Sequence, residues 1–146
     1  MHNIIPHLWF DTEAKEAVDF YVSLLPNSHI TTIKTLHDTP SGDCEVLSFE
    51  LSGQKFMAIS AGPYFKFNPA ISLLLNFNQA KDSNALAKLD ELWKKLMVDG
   101  IELMLLEEYP FGDRCGWVQD KYGLSWQLSL TNSTDDESPF ISPALM

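Results

Sequence analysis

The order in which strand-like and helix-like segments follow each other repeats along this sequence, and this repeat constrains the fold more than any other feature. In each half, a short apolar run precedes a helical periodicity, and three further strand-like runs follow it. The strand-like runs lie at 3–10, 29–36, 45–51 and 54–60, and then at 71–77, 101–107, 115–119 and 124–130. Neither half is long enough to bury a sufficient core alone. The pattern therefore predicts two βαβββ modules in an α+β fold.

Apolar residues at three- and four-residue spacing mark the two helices. In the first, Asp11 offers an N-cap and Pro26 ends the helix. In the second, Asp82 or Ser83 offers the cap and Gly100 follows the helix. The predicted apolar stripes consist of Ala14, Ala17, Val18, Tyr21, Leu24 and Leu25 in the first helix, and of Leu86, Leu89, Trp93, Leu96 and Met97 in the second.

Proline and glycine place the boundaries. Residues 61–69 contain Gly62, Pro63 and Pro69, which favour a connection between module one, residues 1–62, and module two, residues 69–130. We expect 1–130 to form a single domain. Residues 131–146 are polar and then mixed, and we interpret them as a C-terminal tail without a core of its own.

Side chains alternate between the faces of a strand, so parity predicts which of them share a face. Trp126, Leu128 and Leu130 are expected to lie under the helices, as are Leu8 and Phe10. The opposite faces then carry Ile5, His7 and Trp9; Ser72, Leu74 and Asn76; Cys115, Trp117 and Gln119; and Ser125, Gln127 and Ser129. Aromatic walls with a few polar groups are typical of a small-molecule pocket. His7 equally fits a structural hydrogen bond, and Trp9 and Trp117 equally fit core packing.

Charge and motifs exclude several classes of function. With 20 acidic and 10 basic side chains the formal charge is −10, which argues against nucleic acid and against electrostatic attachment to a membrane. Cys44 and Cys115 make no disulfide framework, so we expect a cytoplasmic protein. The sequence has no Gly-rich phosphate loop, no nucleophile elbow and no zinc spacing among its histidines.

Several motifs are specific enough to indicate a family. They are Pro6-His7-Leu8-Trp9-Phe10-Asp11, Ala17-Val18-Asp19-Phe20-Tyr21, Leu25-Pro26-Asn27-Ser28, residues 65–72 and residues 115–127. Together with the repeat they resemble the PhnB-like branch of the vicinal oxygen chelate superfamily, which includes glyoxalases, bleomycin resistance proteins and dioxygenases. The resemblance implies a glyoxalase-like fold, with two βαβββ modules forming curved mixed sheets around a shared cavity. Members are often labelled 3-demethylubiquinone-9 3-methyltransferase.

The resemblance also indicates where a divalent metal would bind. His7 lies at the first-strand position that commonly carries a His ligand, and is the one weak metal candidate. Ser72 stands where a His or Glu is usual, and Gln127 stands where metal-dependent members place a Glu. Neutral Ser and Gln oxygens bind a dication weakly, so we predict no resident metal cofactor.

Three functions follow from these expectations. The first is a small-molecule-binding protein, enzyme or not, that works without the standard metal and contacts its ligand through His7, Trp9, Ser72, Trp117 and Gln127. The second is a divalent-metal-dependent lyase or isomerase of glyoxalase type, in which Glu50 or Glu107 completes the ligands. The third is the methyltransferase of the family label, although no methyl-donor motif is present. The resemblance further implies a homodimer.

Overall fold

The chain divides into two compact units, Met1–Lys66 and Phe67–Met146. The computed structural model describes residues 5–39, 42–60, 71–108, 114–132 and 140–145. The predicted connection at 61–69 lies outside the described residues. Each unit contains one βαβββ module, which confirms the predicted α+β repeat.

Unit 1 pairs its described strands in the order β1-β4-β3-β2. Its elements are β1 (His7–Phe10), α1 (Ala14–Leu24), β2 (His29–Thr39), β3 (Gly42–Leu51) and β4 (Gln54–Ser60). β1 runs parallel to β4, and the other neighbours are antiparallel. The β3–β4 turn has positive φ at Ser52 and Gly53, as glycine at this point of the sequence predicts.

Unit 2 repeats this arrangement and adds one strand. Its elements are β5 (Ile71–Asn78), α2 (Ala85–Met97), β6 (Ile101–Glu108), β7 (Arg114–Gln119), β8 (Ser125–Thr131) and β9 (Ile141–Leu145). The order β6-β7-β8-β5-β9 has β5 and β8 parallel at its centre, and β9 antiparallel on the far side of β5.

Strand β9 is a finding that the sequence pattern does not predict, because the tail interpretation leaves residues 131–146 without regular structure. Ile141 is buried, and the Phe140 ring lies edge-on to Phe77 with 5.1 Å between ring centroids. The segment therefore covers the edge of β5 and belongs to the core of unit 2.

Both helices form where the periodicity predicts, but the predicted caps are wrong. The N-caps are Glu13 and Asn84, and neither side chain makes a capping bond. Ala14 N instead donates to Ser60 Oγ of β4, at 3.0 Å. Asp82 Oδ1 accepts from Asn84 N within the turn before α2. Neither described helix has both the length and the hydropathy that crossing a membrane requires.

Candidate functional site

The two central strands of unit 2 bring Ser72 and Gln127 together. In the parallel β5–β8 pair, Ser72 lies opposite Ser125 and Leu74 lies opposite Gln127. The Gln127 side chain extends across this register, and its Nε2 donates to Ser72 Oγ at 2.9 Å. Ser72 is fully buried and Gln127 is partly exposed. The hydroxyl therefore fixes the orientation of the amide, which is the more accessible member of the pair.

Trp117 joins the pair from the neighbouring strand. It lies directly opposite Gln127 in the antiparallel β7–β8 register. Its indole Nε1 is buried and has no hydrogen-bond partner in the described part of the chain. The Ser125 hydroxyl is also buried and has no hydrogen-bond partner among the residues that the structure describes. A buried polar group without a partner is unfavourable, so these two groups need an explanation.

The register extends this set into one surface, which we call the polar face. Its members are Ser72, Leu74, Asn76 and Asn78 of β5, Cys115, Trp117 and Gln119 of β7, and Ser125, Gln127, Ser129 and Thr131 of β8. Thr131 Oγ1 donates to Asn76 Oδ1 at 3.2 Å. No member of the polar face carries a formal charge. Apart from the buried Ser72 and Ser125, its side chains are partly exposed.

The opposite face of the same strands is apolar and packs on α2. Trp126, Leu128 and Leu130 are buried there, which confirms the face assigned to them by parity. α2 itself buries Ala85, Leu89, Leu92, Trp93 and Leu96. Leu86, predicted in the stripe, is instead 39% exposed. Leu92 takes the inward position, three residues after Leu89 along the helix.

Asp120 holds the turn between β7 and β8, and the sequence analysis missed it. Its Oδ1 accepts from Tyr122 N at 2.9 Å and Leu124 N at 3.1 Å, and its Oδ2 accepts from Trp126 Nε1 at 2.8 Å. An Asp that begins a turn and bonds the backbone two residues later is an Asx turn. An Asp three residues before Gly123 is the sequence signal for it. This carboxylate positions the start of β8, the strand that carries Gln127.

The predicted residues of unit 1 lie on β1. His7 and Trp9 are opposite Met57 and Ile59 of β4 in a parallel register. The His7 side chain is exposed and Trp9 is half-buried, while Leu8 and Phe10 are buried on the other face as parity predicts.

Glu50 and Glu107 are the acidic residues considered for the alternative metal site. Glu50 lies 3.6 Å from His29, measured between Oε2 and Nε2, and Glu107 is exposed on β6 opposite Cys115. The Ser72 oxygen already accepts from Gln127 Nε2. Among the residues that the structure describes, no three His, Cys, Asp or Glu side chains are grouped to hold an ion. Ser72 and Gln127 themselves offer neutral oxygens, which bind divalent cations weakly.

The thiol on the polar face is not activated. Burial raises the pKa of Cys115 above its ordinary value, which keeps the thiol protonated near neutral pH. Cys115 therefore contributes a small polarizable side chain to the surface.

A family model described as 3-demethylubiquinone-9 3-methyltransferase matches residues 2–129. The chain belongs to this family. The match covers both modules and confirms the resemblance drawn from the motifs. No curated protein matches the chain.

Several solved structures are similar to this chain over most of its length. A PhnB protein from Bacillus cereus, named as a candidate 3-demethylubiquinone-9 3-methyltransferase, is 36% identical; the alignment covers 89% of this chain and 100% of that one, with a TM-score of 0.75. A protein from Pseudomonas aeruginosa is 19% identical over 91% of this chain and 100% of that one, with a TM-score of 0.69. A glyoxylase/bleomycin resistance protein/dioxygenase domain from Frankia is 13% identical. The alignment covers 92% of this chain and 95% of that one, with a TM-score of 0.61. The last two likenesses show the fold alone, and that fold is glyoxalase-like.

Proposed function

We propose that this protein of the PhnB-like type binds a small organic molecule and does so without the standard catalytic metal. The observation that carries the proposal is the Gln127–Ser72 hydrogen bond beside the unpartnered indole N–H of Trp117. A fixed amide next to an aromatic ring on a partly exposed sheet face combines apolar area with few, well-placed polar groups, as ligand sites do.

Each proposed contact residue has its own role. Gln127 hydrogen-bonds the ligand, Ser72 holds the Gln127 amide in place from its buried position, and Trp117 supplies apolar area. On unit 1, the exposed His7 imidazole and the half-buried Trp9 ring are the proposed contacts. These contacts suit a binding protein and an enzyme that works without the standard metal alike.

Native mass spectrometry of the purified chain tests this proposal. We expect wild-type spectra to contain a peak for the chain with a bound small molecule. In a Gln127→Leu variant the ratio of bound to free protein should fall by about tenfold, because the amide contact is lost. Gln54→Leu, the same chemical change at the start of β4, is the matched control and should keep the molecule. Binding that survives unchanged in Gln127→Leu would contradict the proposed site.

The second candidate is a metal-dependent lyase or isomerase of glyoxalase type, with His7 as one ligand. Metal analysis after purification without chelator separates it from the first. We expect less than about 0.1 equivalent of metal per chain, since neutral donors hold a dication weakly. Stoichiometric zinc, nickel, manganese or iron would overturn metal-free binding in favour of this candidate.

The description of the family favours a third candidate, a methyltransferase. It requires binding of S-adenosylmethionine, which titration calorimetry measures directly. We expect no heat of binding at about 1 mM cofactor, since the sequence has no Gly-rich strand–loop–helix for a nucleoside. Saturable binding would favour the methyltransferase.

We further propose a cytoplasmic homodimer. Cys44 and Cys115 are both free thiols, as is usual in a reducing compartment. Ile101, Leu103 and Leu105 on the edge strand β6 are exposed apolar side chains of the kind that association buries.

A further inference from the structure

We infer that the ligand of the polar face is an uncharged molecule with an oxygen acceptor, and that Trp117 Nε1–H and the Ser125 hydroxyl are the donors that select it. This inference rests on the proposed function, because it names the class of molecule that the same face binds. It adds a hydrogen-bonding role for Trp117, which so far supplies only apolar area, and a ligand contact at Ser125.

The geometry places both groups on one surface. Trp117 is opposite Gln127, and Ser125 is two residues before Gln127 on β8, so the indole and the hydroxyl belong to diagonal neighbours on the same face. Val118 and Trp126, the residues that follow Trp117 and Ser125 on their strands, alternate to the apolar face and are buried. Both donor atoms are buried, and both residues are neighbours of Gln127 in the sheet, one across the strand pair and one two residues along β8.

Their lack of partners points to a missing acceptor. Indole N–H can only donate, and a hydroxyl can donate or accept. Within the described residues neither group has a partner, and Ser125 is only 1% exposed. A ligand carbonyl, ether or hydroxyl oxygen would supply the acceptor. Both atoms are buried without ligand, so binding includes a shift of the neighbouring side chains.

The charge of the face decides between neutral and ionic ligands. All members of the polar face are uncharged. Arg114 bonds Asp90 at 3.3 Å, and Glu107 lies exposed beyond the face opposite Cys115. A buried ion without a counter-charge is strongly disfavoured. On this face neither a carboxylate nor an ammonium group would find its partner among the described side chains.

Three probes of one shape test the inference: benzamide, benzoate and benzamidine. Each probe is titrated into the protein while the indole N–H resonances are followed by NMR, and a shift of the Trp117 resonance reports contact with the proposed donor. The Trp117 resonance is assigned as the one that is missing in a Trp117→Phe variant. We expect benzamide to move the Trp117 signal and to bind about tenfold more tightly than either charged probe. Equal or tighter binding of a charged probe would overturn the inference and leave small-molecule binding intact. If none of the three perturbs the Trp117 signal, the inference fails, whereas the proposed function is decided separately by native mass spectrometry of the wild-type chain.

Ser125→Ala separates a ligand donor from a structural hydroxyl. Removing an unpartnered buried hydroxyl should raise the midpoint of thermal unfolding by about 2–4 °C, while weakening benzamide binding about threefold to tenfold. Ser83→Ala, the same substitution at an exposed residue of the turn before α2, is the matched control and should change neither value. A lower midpoint, or unchanged benzamide affinity, in Ser125→Ala would show that the hydroxyl has a partner within the chain and overturn its role.

Discussion

Asp120 shows how much structure one buried carboxylate can hold. It is 3% exposed and accepts three hydrogen bonds, two from backbone N–H groups of the β7–β8 turn and one from the Trp126 indole. The turn and the largest buried side chain of unit 2 are thereby attached to one residue. The orientation of β8, and with it the position of Gln127, depends on this carboxylate.

We predict that Asp120→Asn lowers the free energy of unfolding by about 2–3 kcal/mol, because the amide NH₂ cannot accept from the Trp126 indole N–H and leaves a buried donor unpaired. Urea denaturation measures the change. Asp99→Asn, the same substitution at an exposed residue after α2, should alter it by less than about 0.5 kcal/mol. Equal effects of the two substitutions would disprove the role of the Asp120 carboxylate.

Cys115 should react slowly. Because burial raises its pKa, the thiolate fraction near pH 7.5 is smaller than that of a free cysteine, and we expect iodoacetamide to label it about severalfold more slowly. The labelling rate should increase as the pH rises past the ordinary thiol pKa, since deprotonation produces the nucleophile. Intact-mass kinetics give the rate, and Cys115→Ser reports the background from the buried Cys44. Labelling as fast as free cysteine would contradict the prediction.

Among the elements, the packing of α2 on the sheet depends on a glycine. A Cβ added at Gly116 would meet two carbons of the Trp93 ring at 2.8 and 2.9 Å and Leu106 Cα at 3.0 Å. β7 therefore needs glycine here for the indole of α2 to lie against it.

We predict that Gly116→Ala costs about 1–3 kcal/mol of unfolding free energy, because the methyl group overpacks the Trp93 contact. In the Trp93→Phe background the outer ring carbons are gone, and the cost of Gly116→Ala should fall by about 1 kcal/mol or more. The double-mutant cycle is measured by urea denaturation. Additive effects would mean that the two residues are not in contact.

Local patterns predicted the elements but not their ends. The spacing of apolar residues locates both helices. The start of α1, however, depends on a residue far away in sequence, because Ala14 N donates to Ser60 Oγ of β4. β9 was missed because its five residues include Pro143 and its partner β5 lies far away in sequence. Parity placed Ser72, Trp117 and Gln127 on one face correctly. The absence of described partners for Ser125 and Trp117 depends on distances, which no sequence pattern contains.

At the scale of the whole molecule, the two modules share one topology but differ in register. His7 is opposite Met57 in unit 1, whereas in unit 2 the residue opposite Gln127 is Leu74 and the residue opposite Ser72 is Ser125. When His7 and Ser72 are aligned as corresponding positions of β1 and β5, the residues opposite them are Met57 and Ser125, so Gln127 lies two residues beyond the position that corresponds to Met57. Only the reach of the Gln127 side chain brings the unit 2 pair together.

We predict that light scattering finds a particle of about twice the 16.5 kDa chain mass at micromolar concentration. Leu105→Glu should shift the equilibrium towards monomer, because it places a charge among the exposed apolar side chains of β6. Val98→Glu, at another exposed apolar residue just after α2, is the control and should leave the mass unchanged. A wild-type monomer, or equal effects of both variants, would refute this interface.

The pairing of β5 with β8 and β9 has a consequence for synthesis of the chain. β5 is synthesised before β8 and β9, the two strands that flank it in the sheet, whereas β1 has one neighbouring strand, β4, to be synthesised after it. During that interval its apolar residues Leu73, Leu75 and Phe77 have no sheet to enter and its backbone groups are unpaired. The sheet of the second unit can therefore be completed only after β9, Ile141–Leu145, has been synthesised.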